Sequence, residues 1–208
     1  MNQFLQALHI KVQYELVFLK SSAIYYIINY VFIVNLILSK LLSEIIAEHI
    51  DFPKKGIVYK DVLPLLQQPE LFSEVIQKMS EWELFKKADA LISIDARGFI
   101  FGTAISMKLS KPMVLARKPG KLPGEIFSKS YSLEYGSNSL SIQKQAIKNF
   151  KKFIIIDDLL ATGGTVKCVA DLLKDSKKEV LGLSVVIELK KLGGKYMFDF
   201  PVNSQVVF

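Results

Sequence analysis

Residues 153–174, FIIIDDLLATGGTVKCVADLLK, constrain the fold of this chain more than any other stretch. An apolar run leads into Asp157 and Asp158, and after the loop ATGGT a second apolar run follows helical spacing. This pattern predicts a buried strand ending at Asp157 and a helix from about Gly164 to Lys174. The two acids and two glycines therefore lie where a strand turns into a helix.

The same alternation continues on both sides of this stretch. Apolar runs predict strands at 90–94 (ALISI), 113–116 (MVLA) and 179–189 (EVLGLSVVIEL), and helical patterns cover 71–82 and 99–109. Strands alternating with helices imply an α/β fold, a mainly parallel twisted sheet flanked by helices. Between them, SYSLEY and SLSIQ flank Gly136-Ser137-Asn138, which predicts a hairpin turning at those three residues.

Ligands of such sheets bind beyond the carboxyl ends of the strands. That rule places Asp95–Gly98 and Asp157–Thr165 at one rim. Residues 117–135 are rich in Gly, Pro, Lys and Ser. We expect this segment to be a mobile lid over the same rim.

The loop after the acidic pair has the composition of a phosphate site. Glycine allows a close approach of the backbone, the first amides of a helix point outward, and two threonine hydroxyls add donors. The residues in question are Ala161, Thr162, Gly163, Gly164 and Thr165. Asp157 and Asp158 would repel phosphate, but they suit sugar hydroxyls or Mg²⁺, held directly or through water. A phosphorylated sugar would satisfy both halves.

Composition excludes several other kinds of site. The chain has 208 residues, a net charge of +7, one cysteine (Cys168) and two histidines (His9 and His49). These numbers exclude an internal disulfide and a Cys/His zinc set, and they favour a reducing, cytoplasmic setting. The lysines occur as scattered pairs, which favours a solvated basic surface over a nucleic-acid stripe.

The first forty residues differ from the rest. Residues 21–39, between Lys20 and Lys40, are nineteen uncharged residues, which is just long enough to span a bilayer as a helix. Three explanations stay open: a start codon assigned too far upstream, a membrane anchor, or a folded apolar helix. We therefore divide the chain into an N-terminal extension, 1–38, and a functional domain, 39–208. A helical pattern opens that domain and includes His49 and Ile50.

With these residues in view, the chain resembles a known family. IIIDDLLATGGT is similar to the motif with which type I phosphoribosyltransferases bind 5-phosphoribosyl 1-diphosphate (PRPP), and the flanking segments resemble adenine phosphoribosyltransferases. The matching segments are DFPKKGIVYKDVLPLL (51–66), DARGFIFG (95–102), ARKPGKLPGE (116–125), YSLEYGSNSLSIQ (131–143) and VVIELKKLGG (185–194). They cover nearly all of residues 41–200 in the family's order.

The resemblance implies a purine-salvage transferase that converts adenine and PRPP to AMP and pyrophosphate. It also implies Mg²⁺ as cofactor, a homodimer, and the type I fold with a small hood and a mobile loop. Arg97 would bind pyrophosphate, after a non-proline cis peptide at Asp95-Ala96. As the loop closes, Lys121 would add positive charge near the pyrophosphate. Arg117 would make a smaller contribution of the same kind, or would have a purely structural role.

The hood segment GIVYKD would hold the base. Val58 and Tyr59 would cover the adenine ring, with backbone groups around Val58 reading its edge. Lys60 stands where many relatives have arginine, and would contact pyrophosphate or a neighbouring subunit. Tyr135 would lie near the reacting groups and help to close the loop.

Ala161 separates this chain from related families. Hypoxanthine-guanine phosphoribosyltransferases have an aspartate there that acts on the base, and alanine cannot transfer a proton. Uracil phosphoribosyltransferases typically have proline where this chain has Asp158. The general acid must therefore come from elsewhere, and the resemblance points to Glu134. A 6-oxopurine enzyme and a catalytically silent nucleotide sensor are the alternatives; Ala161 argues against the first, and no added DNA-binding domain supports the second.

Overall fold

The computed structural model describes residues 35–133 and 136–208, with the backbone alone for 131–133 and 136–138. The chain divides into two units, residues 1–41 and 42–208. Most of the apolar segment 21–39 lies outside the described residues, so the proposed boundary at residue 39 stays a prediction. Among the described residues, the structure contains no helix with the length and apolar character of a membrane span.

Helices and strands alternate along the described chain. The helices are α1 (35–45), α2 (Pro69–Ser80), α3 (Gly98–Leu109), α4 (Lys144–Ile147) and α5 (Gly164–Asp175). The strands are β1 (Ala47–Ile50), β2 (Val58–Asp61), β3 (Ala90–Ile94), β4 (Met113–Ala116), β5 (Ile126–Leu133), β6 (Gly136–Gln143), β7 (Lys152–Leu160), β8 (Glu179–Glu188) and β9 (Val202–Val207). Short 3-10 helices cover Leu63–Gln67, Glu83–Lys87, Lys190–Leu192 and Gly194–Met197.

Five parallel strands form the central sheet, in the order β4-β3-β7-β8-β9. β3 is wholly buried and β7 nearly so, as their largely apolar sequences predict for a sheet covered on both faces. Phe101 and Ile105 of α3 are buried, as are Val169 and Leu173 of α5. The predicted α/β class and its flanking helices are confirmed.

One strand prediction needs correction, and one further strand was not predicted. β7 does not end at Asp157 but continues to Leu160, because Leu159 and Leu160 pair with Ile187 and Glu188 of β8. The acidic pair therefore lies within β7, close to its carboxyl end. Beyond β8, the segment 202–207 forms the parallel edge strand β9.

A small antiparallel sheet of β1 and β2 forms the hood. The predicted helix ends at residue 45, so placing His49 and Ile50 on it was wrong. Instead, His49 pairs with Tyr59 and Ile50 with Val58. Backbone pairing with VYKD outweighed the local helical spacing, a case of tertiary context overriding propensity.

β5 and β6 form the predicted hairpin, but its turn is not at Gly136-Ser137-Asn138. These residues lie in β6, where Gly136 pairs with Leu133 and Asn138 with Tyr131. Residues 126–133 of the expected lid are therefore paired strand instead of irregular loop. The hairpin is joined to the sheet through Arg117, whose N–H and C=O pair with Ser141 at 2.9 and 2.7 Å.

Candidate active site

A cleft of about 400 Å³ opens at the carboxyl ends of β3 and β7. Its walls come from four places in the sequence: residues 94–97, Lys118, Ser139 with Leu140, and residues 157–166. The two segments predicted to share a rim are thus brought together. Parallel pairing of β3 with β7, from Ala90–Phe153 to Ser93–Ile156, produces this arrangement.

The floor of the cleft is the loop from Ala161 to the start of α5. Gly163 has a φ of +84°, a conformation that glycine adopts without steric cost, and it caps the helix that begins at Gly164. The carbonyl of Gly163 accepts the N–H of Lys167 at 2.8 Å. The amides at the start of a helix lack partners within it, so this loop can present N–H groups to an anion.

Gly194 supports the loop from behind. A Cβ on Gly194 would lie 2.9 Å from Gly163 N and 3.0 Å from Thr162 C, and would overlap the carbonyl oxygen of Ala161. A Cβ on Gly163 would in turn lie 2.8 Å from Gly194 O. Two glycines therefore allow the 3-10 helix Gly194–Met197 to contact the loop backbone.

Asp157 is a buried carboxyl at the cleft wall. Its Oδ1 accepts the N–H of Asp158 at 2.9 Å. Burial, and then the neighbouring Asp158, raise the pKa of Asp157 well above its ordinary value. A Cβ on Gly98 would lie 2.9 Å from Ile156 O and 3.0 Å from Asp157 Oδ1, so glycine at the start of α3 lets the helix reach this carboxyl.

Arg97 joins the acidic pair to the hood. Its Nε donates to Asp158 Oδ2 and its Nη1 donates to the hydroxyl of Tyr59. Burial opposes the charged form of Arg97, but Asp158, Tyr59 and Asp157 together outweigh this effect and raise the arginine pKa overall. Burial also raises the pKa of the Tyr59 hydroxyl, which stays protonated at neutral pH.

The strand end before Arg97 has the backbone that the resemblance implied. The peptide bond Asp95-Ala96 is cis. Arg117 donates from Nε to Asp95 Oδ2 at 2.9 Å, and its guanidinium lies 5.7 Å from the Phe99 ring centroid. This geometry gives Arg117 a local partner at the rim.

Two lysines of the segment after β4 lie differently with respect to the cleft. Lys121 is exposed and does not line the cleft, although its carbonyl accepts from Arg117 Nη1 at 3.3 Å. Lys118 lines the cleft instead, and sequence reasoning missed it. The signal available was its position two residues after β4, at a strand's carboxyl end.

The predicted base site lies in the hood. Tyr59 is half-buried and its ring lies 5.2 Å from Phe52 in an edge-on contact, while Val58 is 47% exposed. Neither residue lines the cleft as described. The predictions for Glu134 and Tyr135 fall outside the described residues.

The acidic pair could hold Mg²⁺ only with help from other ligands. Within 35–133 and 136–208, no cluster of three or more His, Cys, Asp or Glu side chains could hold a metal. Mg²⁺ commonly takes one or two carboxylates and completes its shell with water and substrate phosphates. Asp157 and Asp158 fit that donor set.

Comparison with known proteins agrees with this geometry. Residues 64–203 match the model of the phosphoribosyl transferase domain. An adenine phosphoribosyltransferase of Prochlorococcus marinus (strain MIT 9211) is 62% identical over 171 residues, which are 82% of this chain and 99% of that protein.

Solved structures are similar as well. An adenine phosphoribosyltransferase from Thermoanaerobacter pseudethanolicus aligns with a TM-score of 0.75 at 38% identity, covering 81% of this chain and 99% of that one. The Saccharomyces cerevisiae enzyme, complexed with adenine and an imino-altritol bisphosphate, aligns with a TM-score of 0.75 at 33% identity, covering 81% and 98%. Sequence, fold and cleft together show that the chain belongs to the adenine phosphoribosyltransferases, within the phosphoribosyltransferase family.

Proposed function

We propose that this protein transfers the 5-phosphoribosyl group of PRPP to adenine, giving AMP and pyrophosphate. The observation that carries the proposal is one cleft in which Asp157, Asp158, the loop Ala161–Thr165 and Arg97 share a rim. The loop can accept a 5′-phosphate, and the acids can accept hydrogen bonds from the ribose hydroxyls.

The proposed transfer requires stabilisation of developing charges more than it requires a protein nucleophile. Breaking the bond between C1 of ribose and the diphosphate oxygen leaves positive charge on the sugar and negative charge on pyrophosphate. Arg97 lies at the strand end where the leaving group would emerge, and Lys118 or Lys121 would add positive charge. Closure of the β5–β6 hairpin would exclude water that otherwise hydrolyses the sugar.

Arg97 would exchange partners during this reaction. It is bound to Asp158 and Tyr59 in the structure, and the same guanidinium would turn to pyrophosphate when PRPP binds. Asp158 would then be released to the ribose hydroxyls. The arginine thereby links occupancy of the sugar site to the position of Tyr59.

Mg²⁺ is part of the proposal. Asp157 and Asp158 would hold it directly or through water, and when bound it would neutralise charge on the diphosphate.

Adenine would lie under Val58 and Tyr59. Ala161 leaves the loop without a side chain that could transfer a proton to the base, so Glu134 is proposed as the general acid, with Tyr135 helping to close the loop. We further propose a homodimer located in the cytoplasm, with residues 39–208 as the catalytic domain. Nucleic acid has no part in this proposal, and a membrane would have one only if residues 21–39 are an anchor.

The test is a product assay with the full chain, PRPP and MgCl₂, supplied with adenine, hypoxanthine or guanine in turn. AMP formation with adenine and little turnover of the other bases is expected. Product with hypoxanthine and none with adenine would show a 6-oxopurine enzyme. PRPP binding without turnover of any base would show the nucleotide sensor.

A further inference from the structure

Two side-chain contacts within the described part of the chain link the hood to the central sheet. The first is the hydrogen bond from Arg97 to the Tyr59 hydroxyl. The second joins Lys60 of β2 to Phe208: the lysine Nζ lies 3.7 Å from the centroid of the phenylalanine ring. The second contact has no part in the chemistry described above.

The lysine end of this contact is well shielded. The side chain of Lys60 is only 10% exposed, and its ammonium forms an ion pair with Glu48. Glu48 is also its direct partner across the β1–β2 pair. A shielded ammonium gains more from an aromatic face than an exposed one does, because less water competes for it.

The phenylalanine end is fixed to the main sheet. The N–H of Phe208 donates to Glu188 O at 2.9 Å, and Phe208 O accepts the N–H of Lys190 at 2.9 Å. These bonds extend the pairing of β9 with β8 by one residue. β8 in turn pairs with β7, the strand that carries Asp157, so the ring has a firm support.

The two contacts differ in what substrate binding does to them. Under the proposed function, Arg97 leaves Tyr59 for pyrophosphate, so the first contact is lost while the base must be held. The second uses no group that PRPP or adenine would need. It can therefore persist when the first is broken.

From this geometry we infer that Lys60 and Phe208 are positioning residues, which hold the hood over the base site during turnover. The inference rests on the proposed function, because that proposal assigns the adjacent Val58 and Tyr59 to the adenine ring. Lys60 thereby has a role different from the pyrophosphate or subunit contact that the resemblance implied.

The first test compares Phe208→Leu with Phe208→Tyr in the full chain. Leucine keeps the backbone bonds and the apolar character but removes the aromatic face, whereas tyrosine keeps that face. We expect Phe208→Leu to raise the KM for adenine about tenfold, with kcat and the KM for PRPP within about twofold of wild type. Phe208→Tyr is expected to match wild type.

A second pair of variants tests whether the effect passes through Lys60. Lys60→Met removes the charge but keeps most of the stem, and it should raise the KM for adenine as Phe208→Leu does. The double variant should be no worse than either single one, because both remove one contact. Independent, multiplying effects would overturn the inference.

A readout that needs no activity separates this inference from the proposed function. Hydrogen exchange of residues 47–61, followed by mass spectrometry, should be about tenfold faster in Phe208→Leu and unchanged in Phe208→Tyr. If residues 47–61 of Phe208→Leu exchanged at the same rate as in wild type, the inference would be overturned, regardless of the measured activity. Failure of the wild-type chain to use adenine would overturn the proposed function. The exchange rates would then test only whether the contact between Lys60 and Phe208 holds the hood in place.

Discussion

Asp157 shows how a residue of the candidate site can lower the stability of the fold that carries it. Its carboxyl is buried beside a second carboxyl, so ionisation is unfavourable in the folded chain. The folded state therefore binds a proton that the unfolded state has released, and stability falls as pH rises above the ordinary aspartate pKa of about 4. Below that pH the group is protonated in both states and has no such effect.

We predict that Asp157→Asn is more stable than wild type at pH 8, by about 1 kcal/mol or roughly 2–4 °C in Tm. The amide oxygen can still accept the N–H of Asp158, and no charge remains to be buried. The gain should shrink toward pH 5, while transferase activity falls at every pH. Thermal unfolding at the two pH values measures this.

Asp158→Asn is the matched control, because it removes the ion pair with Arg97 and should not stabilise the chain. Equal Tm differences for Asp157→Asn at pH 5 and pH 8 would contradict the assigned cause.

Arg97 is predicted to tolerate no other cation. It donates from Nε to Asp158 and from Nη1 to Tyr59, and the single ammonium of lysine cannot reproduce that fork. Arg97→Lys should lower kcat/KM for PRPP by about 100-fold or more. Steady-state kinetics measures it, with Arg117→Lys as the comparison. If Arg117→Lys lowered kcat/KM for PRPP as much as Arg97→Lys does, the special role of Arg97 would be contradicted.

At the scale of elements, the contact between the loop Ala161–Thr165 and the 3-10 helix Gly194–Met197 sets the position of the loop. We predict that Gly194→Ala raises the KM for PRPP by about tenfold and the KM for adenine by less. The added Cβ would force the backbone atoms of the loop to move. Gly193→Asn is the control: a Cβ there would meet only Tyr196 Cδ2, at an ordinary contact distance of 3.7 Å, and asparagine accepts the φ of +68°. Equal changes in both KM values would speak against a local loop effect.

Elements with an uninterrupted pattern were the most predictable. The strand at 90–94 was predicted to the residue, because a run of four apolar residues and one serine is bounded by Asp89 and Asp95. The end of β7 was placed too early, because partners in β8 and not the local sequence decide how far Leu159 and Leu160 pair. His49 was misplaced for a similar reason, since β2 lies nine residues away from it.

The site was predictable in its parts but not in its pairings. Residue types singled out the acids and the glycine loop, the resemblance singled out Arg97, and all of them line one cleft. That Arg97 pairs with Asp158, or that Lys118 lines the cleft where Lys121 does not, depends on side-chain directions at a folded rim. Such directions leave no trace in the spacing of residues.

At the scale of the whole molecule, the proposed boundary makes a direct prediction. Removing residues 1–38 should leave kcat and both KM values within about twofold of the full chain, because the cleft is built from residues 94–166. Mass spectrometry of the native protein would also show whether the mature chain begins near Leu38. A fragment that folds but loses activity would place part of the catalytic machinery in the extension.

The pairing of Arg97 with Asp158 has a consequence for how ions in solution affect the protein. Because this arginine already has a counter-charge, capture of PRPP by Arg97 would exchange one ion pair for another and would add little net attraction. Despite a net charge of +7, the affinity for PRPP should therefore weaken only modestly between low and physiological salt. Simple anions such as sulfate should compete poorly with PRPP for Arg97. They carry negative charge but lack the sugar hydroxyls that would replace Arg97 as hydrogen-bond partners of Asp158.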